Sequence, residues 1–335
     1  MSRRALVTGA SGQDGSYLVE FLLARHYQVH AQSRRADAAS LLQSRNLHWH
    51  TADICDSGTL QALIADVQPD EIYNLASISR PSVSWQNPHE TAKVNALVPQ
   101  EICETVLRLR PQCRIFQATS SEIFGDSAIS PQNEQTPCRP HSPYGIAKLH
   151  AHLTIGAYRN KYRLHASSGI MFNHESPRRP LSYVSQKIAY AAAAVAIGLS
   201  ETSEKDERGR PLLQDGKVAL GNLDISRDFG FAGDFVSAMH ALLQSDTADD
   251  YVIGTGQSNS IRTFCEIAFR HIGRNWTDHV VFDSSLFRLI DSHYTVADCS
   301  KIAAQIGWRA TTPFADLVTM MVDHQVRRLT TEAKL

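Results

Sequence analysis

From Ala5 onward, short continuous apolar runs alternate with longer stretches whose apolar positions recur every three or four residues. ALVTGA is followed by SYLVEFLLARH, then QVHAQS and HWHTADI, then TLQALIADV, then EIYNLAS. Continuous short runs mark strands buried on both faces, and a 3.6-residue period marks a helix with one apolar side. The first half therefore predicts βαβ units around a parallel sheet. The alternation continues through a long helix in ETAKVNALVPQEICETVLRL, the strand RIFQATS, a helix opening near Tyr144 and the strand HASSGIMF. This is the pattern of an α/β, doubly wound Rossmann fold.

After Phe172 the regularity breaks into a polar and basic loop, FNHESPRRPLSYV, followed by the Ala-rich helix QKIAYAAAAVAIGL. Ser200 to Lys217 is charged and lacks an apolar period, which predicts a surface loop or hairpin insertion. Strand-like KVALGN and YVIGTG return later and are expected to complete the main sheet, and PFADLVTMMVDHQVRRL reads as a closing amphipathic helix. Two interleaved domains follow: residues 1–172 with about 222–256 around the sheet, and about 173–221 with 257–335 as a smaller C-terminal domain that takes substrate.

Composition narrows the possibilities. The 335 residues can bury a large core, and a formal net charge of -1 gives no pull on nucleic acid or an anionic membrane. Six scattered cysteines without a CxxC pair predict free thiols in a reducing compartment. No metal site is expected, since the nearest thing to a cluster among the 15 histidines is His48 and His50 on one strand. No apolar run approaches a membrane span and MSRRALVTGA does not read as a signal peptide, so a cytoplasmic protein is expected.

The first strand runs into Gly9, Gly12, Gln13, Asp14 and Gly15 and then a helix. In that context the glycines serve a tight turn, close approach of backbone to a pyrophosphate, and close packing of helix on strand, which predicts dinucleotide binding. The second strand ends in Gln32, Ser33, Arg34 and Arg35, not in a carboxylate for ribose hydroxyls, so NADP is expected over NAD. Asp53 and Ile54 close the third strand beside the adenine, and Leu75, Ala76 and Ser77 lie against the cofactor at the end of the fourth.

Tyr144 and Lys148 stand four apart at a helix start, so their side chains share a face. A free phenol has a pKa of about 10, and work as a base near neutrality asks for about 4 kcal/mol of help to its anion, for which an adjacent ammonium is suited. Behind a glycine-rich dinucleotide loop, and after a strand ending in hydroxyls, this pair predicts a short-chain dehydrogenase/reductase site. Ser120 would bridge a substrate hydroxyl to Tyr144. Simple oxidation needs nothing more, so Glu122, with Ser121 beside it, implies a second proton transfer, for which elimination is the natural candidate.

TGASGQDGSYLVEFLL, QPDEIYNLA, QATSSEIFG, SPYGIAKL, SSGIMFNHESPRR, RDFGFAGDFV, DYVIGTG and KIAAQIGW together make the chain resemble the GDP-mannose 4,6-dehydratase family of extended short-chain dehydrogenase/reductases, along nearly its whole length. The resemblance implies a hydro-lyase that uses NADP to turn GDP-mannose, or a related GDP-sugar such as GDP-mannoheptose, into a 4-keto-6-deoxy sugar. It gives Ser120, Ser121, Glu122, Tyr144 and Lys148 the catalytic roles, and places His174 and Arg179 on the cofactor. Asn173, Lys187, Arg227 and Arg288 would hold substrate, the cations facing the diphosphate, while Ser79 and Arg80 are expected against the substrate on the sugar side. The implied assembly is a homodimer or homotetramer. The chain departs from the family at Arg80-Pro81, on the sugar side, and at Leu289 to Ser292. An epimerase or 4-keto reductase on the same scaffold is the alternative, because a fold does not fix its chemistry.

Overall fold

The computed structural model describes residues 2–40, 42–206, 208–286 and 295–332. Along the chain come β1 (Arg4–Thr8), α1 (Gln13–Leu23), β2 (Gln28–Ser33), β3 (Leu47–Thr51), α2 (Ser57–Val67) and β4 (Glu71–Asn74). Next are α3 (Pro81–Gln86), α4 (Pro88–Ala92), α5 (Val98–Leu109), β5 (Arg114–Ala118), α6 (Pro143–Tyr162) and β6 (Ala166–Met171). Then come β7 (Asn173–Glu175), α7 (Val184–Ala196), β8 (Val218–Leu220), β9 (Ser226–Phe231), α8 (Ala232–Gln244) and β10 (Asp250–Ile253). The chain ends with β11 (Ser258–Ser260), α9 (Ile261–His271), β12 (Val280–Phe282), α10 (Ser300–Ile306) and α11 (Phe314–Glu332). These elements form two compact units: Met1–Phe172, Ala232–Gly254 and Ala297–Arg309 in the first, and Asn173–Phe231, Thr255–Val296 and Ala310–Leu335 in the second.

The first unit is built on a seven-stranded sheet in the order β3-β2-β1-β4-β5-β6-β10, with every neighbouring pair parallel. The strands β4 and β6 are buried at every position although they carry Glu71, Asn74, Ser167 and Ser168, and β1 is buried from Ala5 through Thr8. The order reverses at β1 and β4, so the connections leaving these strands diverge and open a crevice at their carboxyl ends. A buried polar ladder stiffens that edge. Thr8 Oγ1 donates to Asn74 Oδ1 at 2.6 Å, and Asn74 Nδ2 donates to Gln117 Oε1 at 2.7 Å, tying β1, β4 and β5 side by side.

The long helix expected before β5 is interrupted. Between α4 and α5 the chain widens into a π turn at Lys93–Leu97. Pro99, in the first turn of α5, has no N–H to give residue 95 and its ring would strike that carbonyl in a regular helix. The wider turn removes the clash and leaves Asn95, only 1% exposed, inside the unit.

The second unit has a three-stranded sheet, β11-β9-β7, and a separate parallel pair, β8 with β12. Ala191 to Ala194 on α7 are fully buried, and their small side chains let α11 and α9 pack closely over a core that includes Phe229, Phe264 and Phe314. One expectation needs correction. Val218–Leu220 does not join the main sheet, because it pairs with Val280–Phe282, whereas Asp250–Ile253 does join it beside β6. The charged segment from Ser200 to Lys217 is a hairpin-like turn anchored from within: Leu212 and Leu213 are buried in the core, and Leu213 bonds back to Thr202.

Candidate active site

The glycine loop after β1 is as tight as its sequence suggests. A Cβ on Gly15 would stand 2.4 Å from the Gly9 carbonyl and 2.6 Å from Ala10 Cα, so only glycine lets α1 close on the loop. Gly12 takes the N-cap position of α1, and Gln13 and Asp14 pair within its first turn, Nε2 donating to Oδ1 at 2.9 Å. Leu75 and Ala76 donate their amides to Thr8 Oγ1, at 3.1 and 3.2 Å, which holds the chain leaving β4 against β1. The Ser77 hydroxyl is buried without a hydrogen-bond partner, an orphaned donor in the strip expected to meet a cofactor. A close-packed glycine turn at a helix N-terminus and an unanswered hydroxyl across from it fit a dinucleotide.

The end of β2 differs from expectation in one respect. Gln32, expected as a donor to a 2′-phosphate, is 2% exposed and spent inside the protein: Oε1 accepts from Gly9 N at 3.1 Å and Nε2 donates to the Ala52 carbonyl at 2.6 Å. Its work is to fasten the glycine loop. Ser33 lies 2.8 Å from the hydroxyl of Ser11, a loop residue the sequence reading passed over, although its position between Gly9 and Gly12 was the available signal. Arg34 is exposed, with Glu90 at 3.9 Å, and Arg35 is held bidentately by Asp37 at 2.7 and 3.0 Å. Asp53 lies two residues beyond β3 and accepts from Cys55 N at 3.0 Å, while Ile54 is buried.

At the end of β5 the hydroxyl run becomes a short turn. Ser120 caps it by accepting from Glu122 N at 3.2 Å, Ser121 opens it, and the Glu122 side chain is exposed. Helix α6 presses on this turn through Gly145, where a Cβ would come 2.8 Å from the Glu122 carbonyl. Any other residue would push the turn from the helix, a signal available in the sequence as a glycine inside a helix. Tyr144 is 7% exposed, and Lys148 Nζ lies 5.8 Å from its ring centroid while donating to the Ala118 carbonyl at 2.9 Å. Burial lowers the Lys148 ammonium from its ordinary value to about 8, with Asp14 opposing. Ser120, Ser121, Glu122, Tyr144 and Lys148 are thus brought together by one strand end and one helix start.

On the same unit Ser79 is exposed and Arg80 half-buried just ahead of α3. In the second unit Asn173 and His174 lie on β7, paired in parallel with β9, which carries Arg227. Arg179 stacks on Tyr183 at 3.7 Å and pairs with the buried Glu175 at 3.0 Å, and Lys187 is buried on α7. Arg288 lies outside the described residues. Among the described residues no group of three or more His, Cys, Asp or Glu could hold a metal ion, and no helix is long and apolar enough to cross a membrane.

With this geometry in hand, the comparisons with known proteins agree on a family. The profile described as GDP-mannose 4,6 dehydratase matches residues 6–321. GDP-mannose 4,6 dehydratase 1 of Arabidopsis thaliana is 38% identical over 338 residues, spanning 96% of this chain and 89% of that protein. The GDP-mannose 4,6-dehydratase of Sinorhizobium fredii is 36% identical over 348 residues, covering 95% of each. Among solved structures, a UDP-glucose 4-epimerase of Thermotoga maritima superposes with a TM-score of 0.83 at 19% identity, over 97% of this chain and 99% of that one, a likeness of fold. The chain belongs to the GDP-mannose 4,6 dehydratase family, hydro-lyases built on the short-chain dehydrogenase/reductase fold.

Proposed function

We propose that the protein dehydrates GDP-mannose, or a related GDP-sugar such as GDP-mannoheptose, to the 4-keto-6-deoxy sugar with NADP as its cofactor. The observation that supports this reading is the close packing of the start of α6 on the Ser120-to-Glu122 turn, which sets the stretch bearing the hydroxyls and the carboxylate against the helix that carries Tyr144 and the buried Lys148. Epimerases and reductases on this scaffold need no carboxylate two residues after the hydroxyl.

The first unit would supply the chemistry. Gly9, Gly12, Gln13, Asp14 and Gly15 would hold the pyrophosphate, Arg34 and Arg35 the 2′-phosphate, Asp53 and Ile54 the adenine, and Leu75 to Ser77 the nicotinamide side. NADP+, when bound, supplies an acceptor for the C4 hydrogen as hydride and later returns it to C6. Tyr144 would remove the C4 hydroxyl proton, with Lys148 stabilising its anion. Ser120 already accepts the Glu122 amide, so its own proton is directed elsewhere and can steady the C4 oxygen. Once C4 is a ketone, C5 becomes acidic. Glu122 would take the C5 proton and, through Ser121, deliver a proton to the C6 hydroxyl, which departs as water, and C5 would be reprotonated at the end, formally by the proton that Tyr144 removed from the C4 hydroxyl. Ser79 and Arg80 would meet the sugar. In the second unit His174 and Arg179 would touch the cofactor, and Asn173, Lys187, Arg227 and Arg288 would hold the nucleotide, the cations answering the diphosphate.

Mass spectrometry tests the reading. Protein incubated with NADP+ and, separately, GDP-mannose, GDP-mannoheptose, CDP-glucose and UDP-glucose is expected to remove one water from a GDP-sugar, and Glu122→Gln to abolish that loss. An epimer or reduced product without water loss would replace the dehydratase with the alternative chemistry.

A further inference from the structure

The geometry points to Ser84 as a positioning residue for Tyr144, coupling the base to the loop that carries Ser79 and Arg80. The inference rests on the role of Tyr144 proposed above. A helix leaves its first amide donors without intrahelical partners. At the start of α6, Pro143 has no N–H, Gly145 N donates to Ser142 Oγ at 3.0 Å, and Ile146 N donates to the Ser142 carbonyl at 2.9 Å. The amide of Tyr144 is the one that the helix's own cap does not serve. Ser84 Oγ accepts it at 3.1 Å, across 60 residues of sequence.

Ser84 is fully buried and its hydroxyl is committed twice. It donates to the Pro81 carbonyl at 2.6 Å, which turns its lone pairs toward Tyr144. A cap from within the helix would fix only the helix; one from α3 fixes where the root of the phenol sits relative to the segment before α3. That segment is itself pinned. Asn95, from the π turn, accepts from Ile78 N and donates to the Ile78 carbonyl, both at 3.1 Å. Ser79 and Arg80, expected on the sugar side, therefore stand between a doubly bonded Ile78 and a helix hydrogen-bonded to the amide of the base. The hydroxyl of Ser84 keeps the base in register with the sugar loop, without itself touching substrate.

Reaction geometry is sensitive to displacements of about 1 Å, so Ser84→Ala is expected to lower kcat roughly 10- to 100-fold at nearly unchanged KM. In the protein without ligands, hydrogen exchange at the Tyr144 amide should accelerate. Ser84→Cys, nearly isosteric with a weaker acceptor, should lie between wild type and Ala in both readouts. Wild-type kcat in a folded Ser84→Ala that merely melts earlier would overturn the proposal. Should Ser84→Ala fail to fold, Ser84→Cys decides: reduced kcat at an unchanged melting temperature supports the role, and wild-type kcat ends it. Failure of the wild type to dehydrate any GDP-sugar would instead strike the functional reading, while unchanged amide exchange in Ser84→Cys would still refute the positioning.

Discussion

Lys148 and Tyr144, at the start of α6, are buried and held, the Lys148 side chain by the Ala118 carbonyl and the Tyr144 amide by the Ser84 hydroxyl, whereas Arg34 and Arg35, at the end of β2, hold side chains 64% and 57% exposed. Both ends belong to the first unit and both were expected to meet the same ligand. One is assembled before any ligand arrives. At the other, two cations stand in water, with one of them already engaged by Asp37. Groups that react gain from preorganisation, because any reorganisation adds to the barrier. Groups that only recognise a phosphate can afford to close on it. Substitutions at the α6 end should therefore appear in turnover, and those at the β2 end in cofactor affinity.

The largest effect expected is that of Tyr144→Phe, which removes the proposed acid–base group and should lower kcat roughly 10³-fold. Affinity for NADPH, read by fluorescence titration, should stay near that of wild type. A loss of affinity as large as the loss of turnover would break the comparison, since the buried end would then also be doing recognition.

Lys148 offers a test that needs no substrate. Its folded pKa is lowered to about 8 from 10.5 by burial, so between those values the unfolded chain holds the extra proton and stability must rise with pH. The full gain is about 3 kcal/mol. Below about 8 both states are protonated and the cost of burying the ammonium is present in full. Urea denaturation at pH 7.5 and at pH 9.5 should show wild type gaining stability over that interval, and Lys148→Met losing most of the gain. Parallel pH profiles would mean that water reaches Lys148 more freely than its burial implies.

What the sequence made legible follows the same division. The strand β1 could be read because a strand buried on both faces runs apolar through Ala5, Leu6 and Val7, β2, β4 and β6 from their alternation with helical stretches, and the glycine loop because no side chain fits at Gly15. The pairing of Tyr144 with Lys148 was legible because four residues is one helical turn. Nothing local marks Ser84 as the acceptor for Tyr144, since the partners are 60 residues apart and a serine near a proline suits many turns. The strand Asn173–Glu175 was hidden in a polar run because only its backbone pairs with β9. Gln32 was misread because a side-chain amide at a strand end serves a ligand or a neighbouring loop equally well, and only the folded chain shows it bonded to Gly9 and Ala52.

At the β2 end, Arg34→Ala should weaken NADPH relative to NADH by about tenfold, the scale of one charge-assisted hydrogen bond. Arg35→Ala should cost less, because Asp37 must give up its bidentate pair before Arg35 can turn to a phosphate. Asp37→Ala should in turn raise the preference for NADPH by releasing Arg35 and removing a like charge. Titration of both dinucleotides against the three variants checks the order, and equal losses for the two arginines would show that the Asp37 pair gives way without cost.

The smallest effect lies further back on β2. His30 stacks against His48 and His50, ring centroids 4.9 and 5.2 Å away, with His30 Nδ1 3.0 Å from His50 Nε2. Burial lowers His30 to about 4, helped by His50, His48 and Arg4 and opposed by Asp66. His50 is lowered as well, by burial and His48 against Asp66. At His30 and His50 the unfolded chain binds more protons as pH falls below about 6.5, so the stability of the neutral imidazoles is lost progressively toward pH 4. His30 and His50 are only half-buried and His48 is exposed, and solvent screening holds the effect of His30 to about 1 kcal/mol. His30→Leu should therefore flatten the acid limb of a melting-temperature profile between pH 6.5 and 4.5 while leaving kcat at neutral pH unchanged. A fall in kcat would mean that β2 transmits strain to the glycine loop through Gln32, and the contrast between a rigid reacting end and a tolerant recognising end would have to be redrawn one strand further in.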